Sequence, residues 1–153
     1  MWYTNLSVTP DRFTDRARKV LRVACDYAAN HNQASVHPEH ILWAMTTIED
    51  GAGKLALRRM GVNLNEVELE SLIAPQQLDT ASDPAPSSET IKLMDSGRLI
   101  AKLLSHPYFG TEHFAIGIAS LDDSCPASAY LHRQGVKLES LVDVVQQILG
   151  YKT

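Results

Sequence analysis

Apolar side chains recur every three or four positions in successive stretches of the chain, and no stretch sustains a two-residue alternation. Phe13, Ala17, Val20, Leu21, Ala24, Tyr27 and Ala28 share one helical face and predict a helix over 14–30. Ile91, Met94, Gly97, Ile100, Ala101 and Leu104 predict a similar one over 88–105. Ile41, Leu42, Met45 and Ile48 mark a helix over 39–48; Phe114, Ala115, Ile118 and Leu121 mark one over 112–121. A third pair of helices runs to Met60 and to Gln134. A fourth pair carries Leu64, Val67, Leu72 and Ile73, then Leu138, Leu141, Val142, Val145, Ile148 and Leu149. Gly61 and Gly135 follow the third helices, where a left-handed residue closes a helix at no Cβ cost, and Gly150 ends the last one. At the start of the second-half helix, Thr111 is the expected N-cap, with Glu112 favoured by the positive helix end. In the first half Pro38 takes the first helical position and His37 the cap. The pattern is that of an all-α protein.

The elements also repeat. Glu39-His40 returns as Glu112-His113 at an offset of 73 (112 − 39), which also pairs Lys19 with Lys92, Ala28 with Ala101 and Asp50 with Asp123. One residue further on, Leu57, Arg59, Gly61, Val62 and Leu64 match Leu131, Arg133, Gly135, Val136 and Leu138. The sequence therefore divides into an N-terminal extension (1–12), a first repeat (13–74), a linker rich in Pro, Ser, Asp and Ala (75–87), a second repeat (88–150) and a short tail (151–153). Two repeats of four short helices, about eight in all, are expected to gain stability by packing as a pseudo-twofold pair, with a groove at the seam.

Composition narrows the class. The chain has 153 residues, 44% hydrophobic and 21% charged, enough apolar surface for one core. A formal charge of −4 argues against nucleic acid as the main partner, and the run Arg16, Arg18, Lys19, Arg22 reads as a solvated helix face. Two cysteines without metal or redox spacing, Cys25 and Cys125, point to a reducing compartment. The first residues lack a basic start followed by an apolar run, and no apolar run is long enough to cross a bilayer. The expectation is a soluble, cytoplasmic protein that uses neither a membrane nor a cofactor.

Catalytic patterns fail on spacing. His37, Glu39 and His40 do not form the H-E-x-x-H arrangement that sets two imidazoles on one helical face, so no metal site is expected. Gly51-Ala52-Gly53-Lys54 has Leu55 where a phosphate loop needs Ser or Thr for magnesium, and Ile48 where it needs Gly. Neither cysteine has an evident base, and no G-x-S-x-G elbow occurs. The chain reads as a non-enzyme.

Phe13-Thr14-Asp15-Arg16-Ala17, Glu39-His40-Ile41-Leu42, Gly61-Val62 and Gly110-Thr111-Glu112-His113, in this order and duplicated, resemble the Clp N-terminal repeat. This module precedes the ATPase rings of Clp and Hsp100 unfoldases and also occurs in stand-alone relatives. The resemblance implies a double Clp-N fold and a role in binding adaptor proteins, degrons or tagged substrates for a Clp ATPase or protease ring. It also implies that the Glu after the Gly-Thr pair can read the guanidinium of phosphoarginine. The matching positions are Glu39 and Glu112, with Thr111, Phe13, Thr14 and Arg16 as companions; a carboxylate can accept a bidentate pair of hydrogen bonds from such a group. The first repeat has His37-Pro38 in place of Gly-Thr, and the second has Pro86-Ser87-Ser88-Glu89-Thr90 without the aromatic and Arg of the first. Other readings in the same class are a helix-binding N-domain of a secretion-associated unfoldase and a structural subunit docked on a Clp protease.

Overall fold

A computed structural model describes residues 12–73 and 84–150; most of the expected linker, the first eleven residues and the tail lie outside them. Eight helices follow in order: α1 (Asp15–Asn30), α2 (Pro38–Thr46), α3 (Ala52–Arg59), α4 (Glu66–Ser71), α5 (Ser88–Leu103), α6 (Thr111–Ala119), α7 (Pro126–Arg133) and α8 (Leu138–Leu149). The all-α class expected from the periodicity is the one observed, with each long helix within two residues of its expected bounds.

The duplicated Gly-Val signature has a structural cause. Gly61 and Gly135 sit at φ +87° and +88°. Each closes its helix with two bonds: Gly61 N–H to the Arg58 carbonyl and Val62 N–H to the Leu57 carbonyl, then Gly135 to His132 and Val136 to Leu131. These are the paired bonds of a Schellman cap, and Val62 and Val136 turn back into the core beside the helix they terminate. The long helices close the same way without glycine. Asn32 after α1 and Ser105 after α5 adopt positive φ, so Gln33 and His106 donate to the Ala28 and Ala101 carbonyls. That geometry aims both side chains inward.

The repeats are knitted together rather than docked. The segment leading into α1 bonds to the segment leading into α6, with Thr14 N–H to the Phe109 carbonyl at 2.9 Å and Phe109 N–H to the Arg12 carbonyl at 2.7 Å. Its counterpart is a parallel two-residue ladder, β1 (Ser35–Val36) with β2 (Ala85–Pro86). The sequence gives no warning of this ladder, because two residues carry no alternation, and it fixes the end of the stretch expected to be linker. The third helices also cross: α3 packs on α6 and α8, and α7 on α2 and α6. One continuous apolar cluster results, from Phe13 and Leu21 through Leu42, Leu57 and Phe114 to Leu131 and Leu141. The seam that was expected to hold a groove is filled by core.

The second half is the more tightly packed at its central crossing. A Cβ on Gly117 would stand 2.1 Å from the Leu93 carbonyl oxygen, and one on Gly97 would stand 2.6 Å from that of His113. Two helices with hydrogen at these points approach backbone to backbone. At the same offset the first half has Ala24 and Ala44, so α1 and α2 cross with methyl groups between them.

Candidate functional site

Each repeat carries an imidazole in the first turn of its second helix, and both rings are structural. His40 accepts the His37 N–H at Nδ1 (2.9 Å), and its Nε2 meets Gln33 Oε1 at 2.5 Å. His113 accepts the Gly110 N–H at Nδ1 (2.9 Å), and its Nε2 meets His106 Nδ1 at 2.9 Å. His106 continues to Gln146 Oε1 at 2.5 Å. One set of neutral tautomers satisfies the whole line: His113 donates from Nε2 to His106, and His106 donates from Nε2 to Gln146. Burial holds the His40 pKa down to about 4 and that of His113 down to about 3, with neighbouring histidines adding to the effect. Among the described residues no cluster of His, Cys, Asp and Glu gathers as metal ligands would.

The ring at N3 supplies the half of a capping box that reaches back to the N-cap N–H. This corrects one expectation. Thr111 is not the N-cap of α6. Gly110 is, while Thr111 is the first helical residue and its hydroxyl accepts the Gly53 N–H at 2.9 Å. His113 already serves the α6 terminus, which releases the Thr111 hydroxyl for the otherwise unpaired first turn of α3. The glycine-rich stretch that loosely resembled a phosphate loop is this helix start. His37 and Pro38 hold the expected cap and first positions of α2.

Glu39 and Glu112 are each only 6% exposed, yet they are used differently. Glu39 crosses to the other half and accepts the Ala127 N–H at 3.3 Å and the Cys125 thiol at 3.5 Å, serving the start of α7. Pro126 at the first position of α7 has no N–H, so this bond meets the first donor available there. Both carboxylates meet their own backbone N–H; Glu112 makes no bond to the other half and lies over Gly110, because Thr111 occupies the equivalent place on α3. Desolvation raises the pKa of both carboxyls; for Glu39 the nearby His37 and the α7 donors act against that rise. Glu112 also lies 3.2 Å from His113 Nδ1, but this is no ion pair, since that nitrogen already accepts from Gly110 and the ring is neutral.

Phe13, Thr14 and Arg16 lie on or just after the lead-in to α1, which bonds to the lead-in of α6 rather than to that of α2. Phe13 is buried edge-on against Phe109, with ring centroids 5.3 Å apart. Thr14 caps α1 by accepting the Ala17 N–H and is tied to Phe109 through its backbone. Arg16, exposed, donates to the Glu49 carbonyl on the approach to α3. Around Glu39 the corresponding lead-in is Ala85-Pro86-Ser87, with Glu89 where the first half has Arg16.

A larger feature lies along the outer side of α5. Arg12, Arg98, Leu99, Lys102, Tyr108 and Phe109 line a cleft of about 710 Å³, floored by Ala101 and His106. Leu99 is 57% exposed, Tyr108 58%, and Leu103 on the adjoining turn 73%. None of these was singled out from the sequence. The signal available there was the pair of doublets Leu99-Ile100 and Leu103-Leu104, which make the apolar face of α5 wider than its core contact needs. The first half has Asp26 and Asn30 where α5 has Leu99 and Leu103. The floor is preformed, because His106 is held from both sides by His113 and Gln146.

Comparison with known proteins agrees with this architecture. A family model described as Clp repeat (R) N-terminal domain matches residues 12–134. The chain is 32% identical over 117 residues to a probable ATP-dependent Clp protease ATP-binding subunit of Chlamydia pneumoniae. It is 31% identical over 142 residues, 91% of its own length, to the negative regulator of genetic competence ClpC/MecB of Bacillus subtilis. It spans 14% and 17% of the length of these two relatives. The N-domain of ClpV from Vibrio cholerae superimposes with a TM-score of 0.79 at 16% identity, covering 94% of this chain and 88% of that one. Duplicated Gly-Val caps, paired first-turn histidines and crossed lead-in segments thus occur in a chain that belongs to the Clp repeat N-terminal domain family.

Proposed function

We propose that this chain is a protein-binding module that takes up segments of adaptor or substrate proteins for a Clp-type AAA+ unfoldase or protease, with the α5 cleft as its docking surface. One observation carries the reading. The second half leaves Leu99, Leu103 and Tyr108 uncovered around a preformed cleft, in a family whose relatives here include Clp protease subunits. Exposed large apolar side chains clustered at a concave surface are the usual mark of a docking site. The secretion-associated reading differs in the partner and would use the same surface. The reading is tested by calorimetric titration with a reduced, carboxymethylated unfolded protein. Saturable binding that Leu99→Ser with Leu103→Ser abolishes supports it; binding unchanged by that pair contradicts it. Both residues are exposed, so the fold survives the change.

A second reading has its own support. Glu112 is not engaged by a backbone N–H of the other half, whereas Glu39 is, so Glu112 is the better candidate to receive the guanidinium of phosphoarginine. Titration with phosphoarginine, and with arginine and phosphate as controls, tests it. Binding lost in Glu112→Gln but retained in Glu39→Gln is the expected result, and no saturation at millimolar ligand overturns it.

A further inference from the structure

The chain is acidic overall, with a formal charge of −4, yet the α5 cleft is rimmed by cations. Arg98 and Lys102 stand one turn apart on α5, and Arg12 lines the same cleft from the segment that bonds to Phe109. Leu99 and Leu103 form a second row beside the first, one residue further round the helix. Both rows therefore repeat about every 6 Å along the axis. One turn back on α5, the Asp95 carboxylate lies 3.6 Å from Arg98 in an exposed pair. Such a pair is weak and yields readily to a better-placed carboxylate.

Resting on the reading of this cleft as the docking surface, we propose that its partner is an acidic amphipathic protein segment, whose carboxylates meet Arg98, Lys102 and Arg12 while its apolar side chains cover Leu99, Leu103 and Tyr108. Charge sets the choice of segment and apolar burial holds it. The cationic row excludes basic segments, since two like charges brought to the same desolvated rim repel. A nucleic acid would satisfy the cations but leave the two leucine positions uncovered, and an acidic chain repels it at longer range. The first half cannot offer an equivalent surface. Its counterparts of Arg98, Leu99, Lys102 and Leu103 are Cys25, Asp26, Ala29 and Asn30.

The test uses fluorescently labelled synthetic helical peptides with Glu and Leu on adjacent faces at i, i+4 spacing, a second set with Lys for Glu, and a third with Ala for Leu. The expected result is saturable binding of the Glu/Leu peptide alone. Arg98→Glu with Lys102→Glu weakens it about tenfold, the sum of two exposed charge contacts, and enables binding of the Lys/Leu peptide. If Glu/Leu and Lys/Leu peptides bind wild type equally, and Leu99→Ser with Leu103→Ser abolishes both, the charge selection is wrong while the docking surface stands. If neither pair of substitutions alters binding, the surface itself is wrong. Tighter binding of a single-stranded oligonucleotide than of the Glu/Leu peptide, lost in the double Glu variant, would overturn the choice of a protein partner.

Discussion

The two repeats share one plan and diverge where function can live. Each opens on a capped helix, crosses to a second helix governed by an N3 histidine, and closes its third on a Gly-Val turn. In the first half the pieces are used up internally. Glu39 serves α7, Asp26 and Asn30 leave the outer face of α1 polar, and alanines space its crossing with α2. In the second half the crossing tightens onto glycines, Thr111 takes over the duty on α3, Glu112 stays buried without a bond to the other half, and Leu99 and Leu103 stand exposed. A duplicated domain can thus keep one copy as scaffold and vary the other.

Acidity probes the histidines that both halves share, and its effect is the largest expected. Each ring's folded pKa lies below the ordinary 6.5, so the unfolded chain takes up protons first as pH falls. Stability therefore declines below about pH 6.5, by up to about 1.4 kcal/mol per pH unit for each ring. The His40 share ends near pH 4 and the His113 share near pH 3. Glu39 and Glu112 act in the opposite sense, since a raised carboxyl pKa costs stability as pH rises above its ordinary value. Urea unfolding of Glu39→Gln with Glu112→Gln and His132→Asn, from pH 7 to 4.5, removes the raised groups and leaves the slope of the buried rings; a flat profile would contradict buried neutral rings.

The glycine crossing comes next. Gly117→Ala is expected to cost about 3 kcal/mol by forcing α6 off the Leu93 carbonyl. Ala44→Gly, the mirror change, should cost only about 1 kcal/mol through helix propensity. Equal losses in thermal melts would mean that the two crossings do not differ.

Smaller still is the contrast between the carboxylates. Glu39→Ala should lose about 1.5 kcal/mol with its bonds to Ala127 and Cys125. Glu112→Gln should be neutral or stabilising at pH 7, because it removes a desolvated charge without touching a bond to the other half. Denaturant midpoints compare the two directly.

Much of this plan is written in local chemistry. Pro38 at the start of α2 and the glycine stops are signals within one turn of the residues they govern, and the structure keeps them; the periodicity holds for the helices but misplaces Ile91 and Val67, which are exposed, and α4 is shorter than its pattern, spanning Glu66–Ser71. What escaped depends on contacts far along the chain. Thr111 reads as a cap until Gly53, 58 residues away, is seen to need its hydroxyl. The Ser35–Val36 ladder exists only because the other repeat supplies Ala85 and Pro86. For the site, the positions of Glu39 and Glu112 were legible from duplication, but their unequal use was not. The cleft was hidden because the periodicity leaves Leu99 and Leu103 off the apolar face set by Ile100, Ala101 and Leu104, and nothing local shows that Arg12 and Tyr108 close a cleft beside them.

The account stands on the claim that the second half binds and the first half supports. Backbone amide shift mapping during titration with the Glu/Leu peptide tests this most directly. The expected perturbations fall on Arg98, Leu99, Lys102, Leu103 and Tyr108, and on Arg12 of the same cleft, with the face formed by Tyr27 and Trp43 unchanged. Perturbations centred on Tyr27, His31 and Trp43 instead would place recognition in the first half and contradict the account.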